Sequence, residues 1–396
     1  MKEIKVILKA EREKPVEARH PWIFSGAIDL IDDDHAAGDV VHVYSSKGQF
    51  LGKGYLSPRS EIAVRMLTPH DEPLDRDFFK KRIEGALELR NTFMPPDTNA
   101  YRLINSEGDF LPGLIVDRYG SYLAAQVMTA GMERFQPLWA EVLKEALPAI
   151  KGIYKKGDSS ERDAEDLQDS QETIWGGECP DVVEIKECGV KFLVDIKRGQ
   201  KTGFFLDQRE NRQTLRKLAG GKKVLNTFAY TGGFSVACAL GGAVSVTSVE
   251  ASESALNTSV HNFEINGLDP KQHEFVREDV FDYLRKIPKE KYDIVILDPP
   301  AFAKSKSQVT QASRGYKDIN LWAMKCVKPG GLLFTASCSS YVSADLFQKI
   351  IFAAAKDAKR SLQMLARAAH PFDHPVSIYH PEGEYLKGLL CRVLPV

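Results

Sequence analysis

The stretch Tyr292-Asp293-Ile294-Val295-Ile296-Leu297-Asp298-Pro299-Pro300-Ala301-Phe302 decides the fold. A short run of branched apolar residues, closed by an acid and two prolines, has the composition of a strand buried on both faces, as parallel sheets require. Proline biases its predecessor away from helix and lacks an amide donor. The turn is therefore stiff, and it presents one acid, Asp298, and one aromatic, Phe302. A second such run, Gly331 to Ala336, ends in Ser337-Cys338-Ser339.

Working outward, strands and helices alternate. Lys222 to Asn226, Val244 to Val249 and Glu274 to Val276 read as strands, followed by helices from about Gly233, from about Ser252 and near 280–286. Helices near 312–327 and 343–356 follow the two strands already quoted. Repeated strand–helix units predict an α/β fold, a Rossmann-like doubly wound parallel sheet, over 188–396. Ligands of such sheets sit beyond the carboxyl ends of the strands. The first 72 residues instead alternate at period two (Val40 to Tyr44, Phe50 to Leu56, Ile62 to Leu67), the rhythm of a small β-barrel. A central α+β domain is expected over 73–187, with a helix at 77–92, strands at Tyr101 to Leu103, Leu114 to Asp117 and Tyr122 to Val127, and a helix near 133–147.

At 396 residues, 43% hydrophobic and 27% charged, the chain has ordinary soluble composition and room for two or three domains. No apolar run has the length of a membrane span, and the start lacks a signal-peptide pattern, so a cytoplasmic location is expected. Six cysteines without a CxxC pair fit neither a disulfide framework nor a zinc site, and no metal is expected. Net charge is −1, which excludes a globally basic nucleic-acid binder. Locally, 158–187 holds eleven acidic and two basic residues, net −9, whereas 197–223 holds nine basic and two acidic, net +7. The loop 301–318 is net +3, with Lys304, Lys306, Arg314 and Lys317 against Asp318. A polyanion would approach the last two segments and avoid the first.

The strand ending at Asn226 leads into Thr227-Phe228-Ala229-Tyr230-Thr231-Gly232-Gly233. This loop lacks the GxGxxG spacing that cradles a pyrophosphate. Acids end the next three strands: Glu250 for a ribose, Asp279 for an adenine amino group, and Asp298. A glycine turn at Gly232 followed by that row suits a nucleoside without phosphates, and S-adenosylmethionine fits the description.

Two chemistries remain open. Asp298-Pro299-Pro300-Ala301-Phe302 resembles motifs of methyltransferases acting on exocyclic amines of bases, which need no thiol. Cys338 points instead to a ring carbon. A thiolate adding to carbon 6 of cytosine makes carbon 5 nucleophilic, and an acid near ring nitrogen 3 assists. If their strands are neighbours, Asp298 and Cys338 share a cleft, in which Pro299, Phe302, Lys304, Arg314 and Lys317 would meet the substrate. A third reading is a non-catalytic RNA-binding protein of ribosome assembly. Cys238, Cys326 and Cys391 sit in apolar patterns and read as core.

Several segments are specific to one family: Arg19-His20-Pro21-Trp22-Ile23-Phe24-Ser25-Gly26, Leu111-Pro112-Gly113-Leu114-Ile115-Val116-Asp117-Arg118, Lys201-Thr202-Gly203-Phe204-Phe205-Leu206-Asp207-Gln208-Arg209 and Arg314-Gly315-Tyr316-Lys317-Asp318-Ile319-Asn320. On these, the chain resembles, nearly end to end, the bacterial 23S ribosomal RNA cytosine-C5 methyltransferases that carry an N-terminal PUA domain. The resemblance implies a PUA domain at 1–72, an S-adenosylmethionine cofactor, a 23S ribosomal RNA substrate and a homodimer. It implies that Phe205, Asp207, Gln208, Asn226, Phe228, Tyr230, Glu250, Asp279 and Asp298 enclose the cofactor, and that Cys338 is the nucleophile. Two segments depart from the family: Lys186-Glu187-Cys188-Gly189 and Arg198-Gly199-Gln200 stand where members carry histidines. The segment from His374 to Gly388 also matches, with no chemistry assigned.

Overall fold

A computed structural model of the chain describes residues 4–32, 34–157, 162, 165 and 167–396. They fall into two compact units: Met1–Ile185 with Val194–Leu206 and Phe372–Gly383, and Lys186–Leu193 with Asp207–Pro371 and Glu384–Val396. The 1–72 segment and, up to Ile185, the 73–187 segment, expected as separate domains, thus lie in one unit, each with its own sheet and apolar cluster.

In the first unit, β1 (Ile4–Leu8), β2 (Trp22–Phe24), β3 (Ile28–Ile31), β4 (Val40–Tyr44), β5 (Phe50–Leu56) and β6 (Ile62–Thr68) form one sheet in the order β2-β6-β5-β4-β1-β3. Period-two patterning turns Ile4, Val6 and Leu8 inward against Val41, Val43 and Val64. A second sheet holds β7 (Ala100–Asn105), β8 (Leu114–Tyr119), β9 (Tyr122–Val127), β10 (Gly152–Lys156) and β11 (Glu172–Gly176), in the order β11-β10-β9-β8-β7. Helix Arg76–Phe93 shares its core through Phe79, Ile83 and Leu87, and is capped by the Asp75 carboxylate. The single helix expected at 133–147 is two, Ala130–Arg134 and Gln136–Ala146. Pro137 explains the break, because proline is tolerated in a first turn but not in a helix interior. Arg90, fully buried, grips both oxygens of Asp109 (2.6 and 2.7 Å) and donates to the Asp373 carbonyl (2.7 Å). This explains how residues 372–383 belong to the first unit.

Next along the chain come β12 (Val182–Glu187) and β13 (Val190–Asp195), paired as a ribbon. Its two-residue turn, Cys188-Gly189, has φ of 50° and 78°, and positive φ at both positions is the demand of a type I′ hairpin turn. Cys188 is thus a turn corner.

The second unit is built on β14 (Lys223–Thr227), β15 (Ser245–Glu250), β16 (Glu274–Arg277), β17 (Tyr292–Leu297), β18 (Val327–Ser337), β19 (Arg360–Ala368) and β20 (Lys387–Pro395), in the order β16-β15-β14-β17-β18-β20-β19. The first five are mutually parallel, as expected. The sheet is not wholly parallel, however: β20 runs antiparallel to both β18 and β19. Reading strand–helix units alone misses this pair, because antiparallel neighbours need no crossover helix. Leu225, Val249, Val295, Leu297 and Leu333 pack with Ile319, Ala323, Phe347 and Ile351 of the flanking helices. Each such burial is worth about 1.5–3 kcal/mol before entropy is counted.

Candidate active site

Parallel pairing brings the carboxyl ends of β15, β14, β17 and β18 side by side, with Thr227 opposite Leu297 and Leu297 opposite Thr335. Glu250, Phe228, Asp298 and Cys338 therefore leave the sheet along one edge. After β14 the loop is held in an unusual backbone. Phe228 and Tyr230 have φ of 53° and 47°, in the left-handed region that side chains rarely adopt. Such strain persists only where the surroundings enforce it. Here Glu250 enforces it, one oxygen accepting from the Tyr230 N–H and the other from the Ser252 N–H, both at 2.9 Å. Gly232, at φ 80°, packs so tightly on Ser259 that a Cβ would lie 2.1 Å from its hydroxyl.

Asp298 sits in a relay. Asn211 Nδ2 donates to Gln208 Oε1 (2.6 Å), which turns Gln208 Nε2 toward Asp298 Oδ1 (2.9 Å). Burial raises the Asp298 carboxyl to about 7, and the Asp207 charge adds to the rise. Arg212 and the Gln208 hydrogen bond oppose it. Asp207 itself accepts from the Tyr385 hydroxyl (2.8 Å) through Oδ2, while its buried Oδ1 has no partner among the described residues. Asn226 is similar: Nδ2 donates to Ser235 (2.9 Å), and the buried Oδ1 has no partner among the described residues. Asp279 caps helix Val280–Lys286 through Oδ1.

The Cys338 turn is tied to the Asp298 turn by hydroxyls. The Tyr316 hydroxyl meets Ser337 Oγ (3.0 Å) and Ser339 Oγ (2.9 Å), and Ser339 Oγ accepts from the Ala303 N–H (3.3 Å). Cys338 Sγ lies 3.9 Å from the Pro299 carbonyl. It is half-buried, whereas Cys179, Cys238, Cys326 and Cys391 are buried. Lys387, directly across from Ser337 in the β18–β20 register, donates to the Ser339 carbonyl (2.6 Å).

Of the other sequence candidates, Lys304 and Arg314 are exposed. Lys317 pairs with Asp357 (2.6 Å). Phe302 packs one way against Tyr316, ring centres 4.5 Å apart, and belongs to the core margin. Phe205 falls in the first unit and so outside this geometry. The basic run 197–223 is less available than its charge suggests. Arg209 is fully buried, Arg212 is gripped by buried Glu187 (2.7 and 2.6 Å), and Lys197 pairs with Glu178 and Asp181. Sequence reasoning missed Tyr316, Tyr385 and Lys387, because each acts through a contact distant along the chain; it also missed Asn211, whose contact with Gln208 is only three residues away but follows no motif.

Residues 162–392 match the model of an S-adenosylmethionine-dependent methyltransferase family, and 6–69 match a PUA-like domain. The chain belongs to this methyltransferase family. A ribosomal RNA large subunit methyltransferase I from Aliivibrio fischeri is 44% identical over 99% of this chain and 100% of its own. One from Erwinia tasmaniensis is 42% identical over the same shares. Among solved structures, a protein described as a SAM-dependent methyltransferase, from Streptococcus mutans, has 28% identity and a TM-score of 0.83 over 98% of this chain and 99% of its own. Another methyltransferase structure, complexed with SAH, has 29% identity and a TM-score of 0.84 over the same shares. The cofactor of this methyltransferase is S-adenosylmethionine. The buried, unpartnered oxygens of Asp207 and Asn226 suit its ammonium group, and the Glu250 carboxylate suits its ribose hydroxyls.

Among the described residues no helix is long and apolar enough to cross a membrane, and no group of three or more histidine, cysteine or acidic side chains could hold a metal.

Proposed function

We propose that the protein methylates carbon 5 of a cytosine in large-subunit (23S) ribosomal RNA through a covalent adduct of Cys338. The observation that carries this reading is the thiol at the end of β18, 3.9 Å from the carbonyl of the residue after Asp298. The Cys338 thiolate adds to carbon 6, and the ring electrons move to carbon 5. Bound S-adenosylmethionine supplies a methyl group on a sulfonium, a leaving group that takes the bonding pair. Carbon 5 accepts the methyl, loses its proton, and the carbon–sulfur bond breaks to return the thiolate. A carboxyl titrating near 7 is suited to donate a hydrogen bond to ring nitrogen 3, which makes Asp298 the assisting acid. The rival amine chemistry wants an ionised acceptor at that position, which burial disfavours.

In this reading Asp207, Gln208, Asn226, Phe228, Tyr230, Gly232, Glu250 and Asp279 enclose the cofactor. Pro299, Phe302, Lys304 and Arg314 meet the substrate; the ion pair of Lys317 with Asp357 leaves it a lesser part. The 1–72 PUA-like domain docks RNA by phosphate and shape contacts, 73–187 follows it, 188–396 carries the catalytic residues, and the target base leaves its stack to react. A homodimer working in the cytoplasm completes the proposal. The relatives named for large-subunit ribosomal RNA support the substrate class.

The test is trapping. Protein, tritiated S-adenosylmethionine and ribosomal RNA containing 5-fluorocytidine are run on a denaturing gel beside Cys338→Ala. Fluorine at carbon 5 cannot leave as a proton, so the adduct persists. A labelled adduct absent from Cys338→Ala supports the reading. Label on ordinary RNA without any adduct would transfer the assignment to amine methylation.

A further inference from the structure

Cys338 stands beside a cation that the carbon-5 reading does not use. Lys387 comes from β20, whose antiparallel pairing with β18 sets it opposite Ser337, one residue before the thiol. Its Nζ reaches past the thiol's own residue to the Ser339 carbonyl at 2.6 Å, so the ammonium is fixed on the cysteine turn. The side chain is half-buried, where a lysine would ordinarily be turned outward unless something held it.

We propose that Lys387 acts through Cys338, taking the thiol proton and holding the sulfur as a thiolate beside the ammonium. The step balances within the pair when Lys387 enters it as the neutral amine, which can still donate an N–H to the Ser339 carbonyl: the S–H bond breaks, its electrons stay on sulfur, and the proton joins the amine lone pair to make the ammonium. When the carbon–sulfur bond later breaks, the returning thiolate meets the same ammonium, so no outside proton is needed at sulfur.

The charges around the pair agree. Burial lowers the Lys387 ammonium to about 8, against which the Cys338 thiolate and Glu384 both hold its proton. An amine titrating near an ordinary thiol is matched for proton exchange with it. From helix Val309–Cys326, Tyr316 presents a hydroxyl whose ionisation is pushed upward, chiefly by burial and partly by the Cys338 charge, so it remains a neutral neighbour. Asp298, largely protonated below about 7, does not compete for the ammonium there.

The inference rests on Cys338 as nucleophile, but its test reads the thiol alone. The full-length protein, with no RNA or methyl donor, is alkylated with iodoacetamide from pH 5.5 to 9.5, and Cys338 is followed by peptide mass spectrometry. Cys188, the other half-buried thiol, serves as internal reference. In the wild type, Cys338 should titrate below the ordinary thiol value of about 8.5. Lys387→Met should raise that midpoint by about one pH unit and slow alkylation at pH 7 about tenfold, since the thiolate fraction falls in proportion. Lys387→Arg should restore the midpoint, because the guanidinium keeps the charge that holds the thiolate, although it has no lone pair with which to take the proton. An unchanged profile in Lys387→Met, or a wild-type midpoint at or above the ordinary value, overturns the proposal even if one variant folds poorly. A trapped adduct together with an unshifted alkylation profile would retain Cys338 as nucleophile and remove Lys387 from the mechanism.

Discussion

Asp298→Asn changes the charge at the end of β17 while preserving its shape. The amide oxygen can still accept from Gln208 Nε2, and the new amide nitrogen offers a donor to the Asp207 carboxylate that now repels Asp298. In the wild type the carboxyl titrates near 7 in the folded chain against an ordinary 3.8. A carboxyl raised in this way binds its proton more tightly folded than unfolded. Its contribution is complete below pH 3.8 and is lost as pH rises through 7. At 1.36 kcal/mol per pH unit the interval amounts to about 4 kcal/mol, an upper figure because water reaches part of the side chain. Asparagine carries no such penalty. The stability advantage of Asp298→Asn should therefore be near zero at pH 4 and grow to about 2–4 kcal/mol at pH 8. The assay is urea unfolding of both proteins at pH 4, 5, 6, 7 and 8, followed by tryptophan fluorescence. Two curves separated by a constant offset would refute the electrostatic account of this site. Methyl transfer should meanwhile fall about 10²–10⁴-fold, the usual worth of a positioned acid.

Three further outcomes are expected. Glu187→Ala removes the carboxylate that grips the buried Arg212 guanidinium and should cost about 3–5 kcal/mol in the same unfolding assay; a loss below 1 kcal/mol, about the worth of a surface pair, would contradict it. Glu250→Ala should weaken S-adenosylmethionine binding about 10–100-fold by calorimetry, from lost charged hydrogen bonds of about 1.5–3 kcal/mol, and unchanged affinity would remove Glu250 from the cofactor site. Replacing Lys304, Lys306 and Arg314 together by alanine should flatten the dependence of log K on log salt for RNA binding by about 2–3, if each meets one phosphate. An unaltered slope would move the RNA contacts elsewhere.

The sequence by itself determined most of the α/β domain. Apolar runs such as Tyr292 to Leu297 coincide with strands because a strand buried on both faces has no room for polar residues, and that pressure is local. The same logic singled out Asp298, which directly follows such a run, and Glu250, which closes another. Tertiary structure decided what the runs could not encode. The β19–β20 pair was illegible because no α-helix separates β19 from β20, so no strand–helix unit announces β20, and its other partner, β18, ends 50 residues before it begins. Charge counting along 197–223 overstated a polyanion-binding surface, because only folding shows Arg212 sealed against Glu187 and Arg209 fully buried. Above all, the near-neutral acid at Asp298 and the ammonium beside Cys338 exist only once Asp207, Gln208 and Lys387 arrive from remote parts of the chain. A side chain's proton affinity depends on the charges and solvent around it, and those are properties of the packed site.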